Sequence, residues 1–218
     1  KSRDAATFIS MLSYLFTGFI TGVRLCRSNR YDVINTHFAV PSGPLGYILG
    51  RLFRIPNVLS LHGGDIYDPS KKMSPHDSFI FSRVVRFILN RADRIIAQST
   101  NTRDNAVKYY RPDKEVGIIP LAFHPPANVK ASRKSFNLED GVFYLITIGR
   151  LIKRKSLDTL LFALSEIRDK NIRLLIAGDG PEKDYLQGIV KEKGLVNRVS
   201  FLGYISDDVK FMYLSAAD

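Results

Sequence analysis

Seven short runs rich in valine, isoleucine and leucine punctuate this chain, and helical periodicity fills most of the intervals between them. They are "DVINTH" (32–37), "NVLSLHGG" (57–64), "RIIAQS" (94–99), "VGIIPL" (116–121), "VFYLITIG" (142–149), "IRLLIAG" (172–178) and "RVSFLG" (198–203). Each is short for a helix, and most lack the clean polar alternation of a sheet with one wet face. Parallel strands covered by crossover helices read this way. The pattern predicts an α/β protein built from repeated βα units.

Helices are expected over 43–54, 77–90 and 101–110, and from 156, 181 and 206 onward, with Ser99 or Thr100 capping the third. Residues 122–141, "AFHPPANVKASRKSFNLEDG", keep neither period and read as a linker. The chain of 218 residues thus divides into two Rossmann-like domains, both incomplete: 1–121, then the linker 122–141, then 142–218. It begins at Lys1 without a methionine and ends inside a helical pattern, so a longer protein is expected around it.

Residues 5–23 carry no charge, which raises the question of a membrane span. Phe8, Ile9, Leu12, Leu15, Phe16, Phe19, Ile20 and Val23 share one helical face, and Thr7, Ser10, Ser13, Thr17 and Thr21 the other. A span needs about 20 residues apolar all round. A striped helix instead fits a buried or membrane-surface position.

The net charge of +11 is uneven: through Pro120 there are 17 basic and 9 acidic residues, a surplus of 8, against a surplus of 3 beyond it. Such an excess suits an anionic partner, whether nucleic acid, an acidic membrane or a phosphorylated ligand. One cysteine, Cys26, leaves no internal disulfide and no cysteine-based zinc site, and agrees with a reducing compartment.

The cations concentrate at one informative place. In "ITIGRLIKRKSLDTLLFAL" (146–164) an apolar run stops at Gly149, and Arg150, Lys153, Arg154 and Lys155 follow before a helical pattern begins. Ligands of doubly wound sheets bind at the carboxyl ends of strands. A helix start with free N–H groups, Ser156 as cap and fixed cations beside it would hold phosphate. A solvated basic loop would look the same from these residues alone. Gly178 and Gly180 end the next run in "LLIAGDGPEKDYL", but Lys183 breaks a GxGxxG fingerprint, which argues against a nicotinamide or flavin cofactor. Gly203 ends the run after that, and Ser206, Asp207 and Asp208 read as a helix cap and acidic first turn, not as metal ligands.

Taken in order, "IGRLIKRKSLDTLL", "LLIAGDGPEKDYL" and "RVSFLGYISDDVKFMYLSAAD" resemble the C-terminal half of family-4 glycosyltransferases. "YDVINTHFAVPSGPLGYILGRLFRIPNVLSLHGGDIYDPS" and "RADRIIAQSTNTRDNA" resemble the acceptor-side domain of the same family, so the likeness covers residues 31–218. It implies the two-domain GT-B fold and transfer of a sugar from a nucleotide-sugar, UDP- or GDP-linked, with retention of configuration. Neither a catalytic metal nor a further cofactor is implied. Arg150 and Lys155 would grip the donor diphosphate and stabilise it as it leaves, with Gly149, Gly178, Gly180, Gly203, Tyr204 and Ile205 completing the donor side. His62 would stand by the reacting sugar, so that His62, Arg150 and Lys155 form the catalytic set.

Gly63, Gly64 and Asp65, with His37, Ser99 and Asn101 at matching strand ends, would face the acceptor, although Ser99 equally suits a helix cap. Asp65 would bond an acceptor hydroxyl or orient His62, and Tyr204 would stack on the base or pack on its own domain. The family has glycine where Ser156 stands. It also has a Glu-x7-Glu pair beyond the last residue here, which implies little transferase activity for this stretch alone. The acceptor would be a saccharide or lipid-linked saccharide in surface polysaccharide or glycolipid synthesis. The setting would be cytoplasmic, peripheral on the inner face of an anionic membrane. The competing readings are a basic nucleic-acid-binding module, disfavoured by scattered cations and the lack of an RNA or helix-turn-helix motif, and another GT-B enzyme such as a nucleotide-sugar epimerase.

Overall fold

The computed structural model describes residues 8–69, 74–122, 126 and 131–218. Thr7, the side chains of Phe8, Ile9 and Leu12, and most of the expected linker's first half (123–125 and 127–130) lie outside the described residues. The described residues form two compact units, one through residue 122 and the other beyond it, and both are parallel α/β assemblies.

In the first unit, strands β1 (Ile34–His37), β2 (Asn57–Leu61), β3 (Arg94–Ala97) and β4 (Val116–Ile118) lie side by side in chain order, all parallel. Helices α2 (Ser42–Phe53), α3 (Phe79–Arg91) and α4 (Thr100–Tyr110) make the crossovers, and right-handed connections that advance in one direction lie on one face. That face holds the core, where Leu59, Leu61, Ile95 and Ala97 meet Val85, Ile88, Leu89 and Tyr110. Strand alternation then sends Asn35, His37, Ser60, His62 and Gln98 to the opposite face. Helix α4 starts where expected, with Ser99 Oγ accepting from Thr102 N at 3.2 Å.

Helix α1 (Phe8–Ser28) departs from its expected stripe. It rests on α2 through two glycines one turn apart. A Cβ on Gly18 would stand 2.8 Å from Leu45 Cδ2, and one on Gly22 would stand 2.4 Å from Leu49 Cδ1. Small residues let the two helices approach, so the contact stripe rotates onto the glycines and leaves Phe16 and Ile20 exposed. Among the described residues no helix is long and apolar enough to cross a membrane.

In the second unit, β5 (Phe143–Ile148), β6 (Ile172–Ala177) and β7 (Val199–Gly203) again run parallel in chain order. Alternation along β6 divides the interior. Leu174 and Ile176 pack with α5 (Leu157–Glu166) and α6 (Lys183–Glu192), whereas Leu175 packs on the other face. There it meets Leu138, Val142, Tyr144 and Ala216 of α7 (Asp207–Ala216). From Ala131 onward the stretch expected as linker folds onto this face, with a 3-10 turn at Arg133–Phe136 and Phe136 stacked on Tyr213 at 3.9 Å. Its apolar residues are too few for either period, yet they fill a groove that α7 alone does not cover.

Candidate functional site

The first constellation stands at the carboxyl ends of β1, β2 and β3. His37 Nδ1 lies 2.8 Å from His62 Nε2, and Gln98 Nε2 bonds His62 Nδ1. Phe38 stacks on the His62 ring, centroids 4.2 Å apart. The backbone of Phe38 is left-handed at φ 73°, a strained conformation for a bulky residue. Bonds on either side hold it: Phe38 N to Ser60 O at 2.9 Å, and Ala39 N to Asp65 Oδ2 at 2.7 Å. Gln98 and Phe38 are the residues that sequence reasoning missed. Their signal was position alone, since each directly follows the last residue of a strand.

Asp65 is buried, and its second oxygen accepts from His62 N at 2.9 Å. Both carboxylate oxygens therefore serve backbone N–H groups, and neither touches the imidazole of His62. Asp65 fastens the turn after β1 to the turn after β2. Burial pushes its carboxyl above the ordinary range, opposed by these N–H groups. Burial also holds His62 below the usual imidazole range; Asp65 works against this and His37 adds to it. The positive φ of Gly63 (91°) forms a tight turn whose carbonyl accepts from both Ile66 N and Tyr67 N, with Gly64 inside it. Ser99 spends its hydroxyl on capping α4, and Asn101 is exposed and bonds Asn105 at 3.1 Å.

The second constellation lies where β5, β6 and β7 end. Two of its glycines, Gly178 and Gly180, are packing devices. A Cβ on Gly178 would stand 1.9 Å from Gly149 O, and one on Gly180 would stand 2.3 Å from Leu151 O. That closeness lets the loops bond directly, Gly178 N to Gly203 O at 2.7 Å and Leu151 N to Asp179 O at 3.0 Å. The loop carrying the cations is thereby fixed. Arg150 and Lys155 are both exposed, and the Lys155 stem passes Gly149, Cε standing 3.9 Å from the point a Cβ would occupy. Gly149, Arg150, Leu151 and Lys155 border a small hollow of about 80 Å³, whose wall includes the apolar Ile148, Leu157 and Ile176. A larger neighbouring hollow, about 290 Å³, is lined by Lys153 as well as by Asp158, Glu182 and Tyr185, so its charges are mixed.

Ser156 stands at the N-cap of α5 but makes no side-chain cap bond, because its backbone is left-handed at φ 48°. Ser206 likewise precedes α7 without a side-chain cap bond. Tyr204 is 86% exposed, so it is not packed on its own domain, and Ile205 beside it is half-buried. Among the described residues no three His, Cys, Asp or Glu side chains gather as metal ligands.

Two family models match this chain: Glycosyltransferase Family 4 over residues 7–125 and Glycosyl transferases group 1 over residues 128–218. Alpha-monoglucosyldiacylglycerol synthase of Streptococcus pneumoniae is 25% identical over 219 residues, 94% of this chain and 49% of its own length. The solved structure of Anabaena HepE in complex with UDP is similar, with TM-score 0.69 and 22% identity over 95% of this chain and 54% of that one. Sucrose-phosphate synthase from Thermosynechococcus elongatus superposes with TM-score 0.78 and 23% identity, over 98% of this chain and 55% of its own. These likenesses show the GT-B fold of Rossmann-like domains. The chain spans about half the length of the curated relatives it matches. The relatives named lend the nucleic-acid reading no support.

Proposed function

The chain belongs to glycosyltransferase family 4, and from that premise we propose that it serves a retaining transfer of sugar from a nucleotide-sugar, UDP- or GDP-linked, to a saccharide or lipid-linked acceptor. The observation that carries this reading is the Gly149–Lys155 turn. Arg150 and Lys155 stand on a loop locked by glycine packing, beside the start of α5. Departure of a nucleoside diphosphate builds negative charge on its phosphates, and preorganised cations with helix N–H groups stabilise that charge as it forms. These groups fill the role that a divalent ion fills elsewhere, so the transfer proposed is metal-independent. Gly178, Gly180 and Gly203 hold the loop, and Tyr204 and Ile205 stand where a nucleobase would be met. His62 with His37 serves the reacting sugar, and the turns at Gly63, Gly64, Asp65, Ser99 and Asn101 border the acceptor.

A lipid-linked acceptor fits relatives named as monoglucosyldiacylglycerol synthases and the surface of the first unit. Helices α1, α2 and α3 carry Arg24, Arg27, Arg51, Arg83, Arg86 and Arg91 and no acidic residue. On the same helices Phe16, Phe79 and Ile80 are 68%, 71% and 72% exposed, and the Arg83 guanidinium lies over the Phe79 ring at 4.4 Å. Cations interleaved with exposed apolar side chains suit the inner face of an anionic membrane, in a cytoplasmic peripheral setting.

Calorimetric titration with UDP, GDP, ADP, CMP and a short oligonucleotide, free of metal, tests the donor role. One nucleoside diphosphate is expected to bind, and Lys155→Ala to abolish the heat. Binding of the oligonucleotide alone would overturn the reading.

A further inference from the structure

The row His37–His62–Gln98 determines where its protons sit. Strand alternation and register place the three side chains on the open face of the first sheet, with His62 level with Gln98 (Leu61 pairs with Ala97). Gln98 turns its amide nitrogen to His62 Nδ1; with that end of the amide facing the ring there are only hydrogens to offer, and Nδ1 is then the atom with the lone pair. A neutral imidazole carries one N–H, and that of His62 is therefore on Nε2. It donates across 2.8 Å to His37 Nδ1. His37 Nδ1 in turn accepts, and its own hydrogen is on Nε2. The His37 side chain is exposed. Burial, which holds His62 below the usual imidazole range against the pull of Asp65, favours the neutral ring that this chain of bonds requires.

We propose that Gln98 is a positioning residue: through His62 it sets the tautomer of His37, so that the site presents a neutral Nε2–H donor at His37. Its ligand is an oxygen acceptor, a sugar hydroxyl in the transfer proposed above, and that clause alone rests on the transfer reading. The Phe38 ring stacked on His62 and the Asp65 clamp on His62 N hold the row in line. Side-chain amides are suited to this task because they do not titrate. A carboxylate at position 98 would turn the row around, drawing a proton to His62 Nδ1 and leaving a lone pair at His37 Nε2 if His62 stayed neutral.

The test is long-range proton–nitrogen NMR of the whole chain labelled with 15N-histidine, at neutral pH. His37 and His62 are both expected as Nε2–H tautomers, with His76 as an internal reference. In Gln98→Leu, His62 is expected to populate both tautomers. In Gln98→Glu, its Nδ1 is expected to become protonated. Protonated Nδ1 in the unaltered chain, or unchanged tautomers in both variants with folding verified by circular dichroism, would overturn the proposal. If Gln98→Leu fails to fold, the near-isosteric Gln98→Glu decides alone. Adding UDP with glucose then tests the ligand: a shift of the His37 Nε2 resonance is expected. An unmoved resonance with the expected tautomers would overturn the sugar clause alone.

Discussion

The carbonyl oxygen of Gly149 occupies the space into which a side chain at Gly178 would grow, 1.9 Å from the point where its Cβ would stand. Gly178 also holds φ at 132°, a region that other residues rarely adopt. Space and conformation therefore demand glycine at the same position. Gly178→Ala is expected to cost about 3 kcal/mol or more, because the obstacle is backbone and cannot rotate away. Urea unfolding measures that loss. The same change pushes the loop of Arg150 and Lys155 from its place, so nucleotide affinity is expected to fall with stability. Undiminished stability would mean that the two loops part without cost.

Much of this arrangement is legible in the sequence, and the reason is local. Runs ending at Gly149, Gly178 and Gly203 mark strand ends; the turns at Gly178 and Gly203 take positive φ, and Gly178 alone of the three also meets backbone at close range. The helices begin within about two residues of where their periodicity and caps place them. What was not legible depends on neighbours distant in sequence. Gly18 and Gly22 look like weak points in an apolar helix until Leu45 and Leu49 are seen to fill them. Asp65 looks like a ligand-facing carboxylate until Ala39 N and His62 N are found at its oxygens. Gln98 has no motif, and only the register of β2 on β3 brings it level with His62.

Ser156 carries a testable cost. Its left-handed backbone, φ 48° and ψ 42°, is open to glycine without penalty and costs another residue about 1–2 kcal/mol. The hydroxyl makes no cap bond in return. Ser156→Gly is expected to raise the thermal midpoint, by about 1 kcal/mol of stability after the extra freedom of glycine in the unfolded chain is deducted. A lower midpoint would show that the serine side chain contributes something this geometry lacks.

Asp65 predicts a direction with pH. Burial raises its folded pKa above the ordinary 3.8, so the folded protein holds that proton more tightly than the unfolded chain. The carboxyl therefore contributes stability at low pH that is lost as pH rises from the ordinary value through the raised one. Asp65→Asn removes this dependence. It also sacrifices one of two backbone acceptors, costing about 1–3 kcal/mol. Subtracting the variant's stability from that of the parent, across a denaturation series from acid to neutral pH, should give a difference that declines and then levels. A difference that rises with pH would overturn the assignment.

Arg198 has no role in the proposed chemistry, yet it is buried, and its guanidinium gathers four carbonyls at the opposite end of the second sheet. It donates to Leu164 O, Ile167 O and Ile172 O at 3.1 Å each and to Asp169 O at 2.9 Å. Two of these oxygens close the end of α5, where a cation also meets the negative end of the helix dipole. The turn that joins α5 to β6 is thus gathered around one side chain. No lysine can reproduce a planar fork reaching four acceptors. Arg198→Lys is expected to cost about 2 kcal/mol, and Arg198→Met about 3–5 kcal/mol, since it leaves carbonyls unbonded in a dry site. Denaturant unfolding ranks the two variants, and the hydrogen exchange of amides near the end of α5 locates the loss. If both variants unfold like the parent, the four bonds are redundant with water and the turn is held by its apolar packing alone.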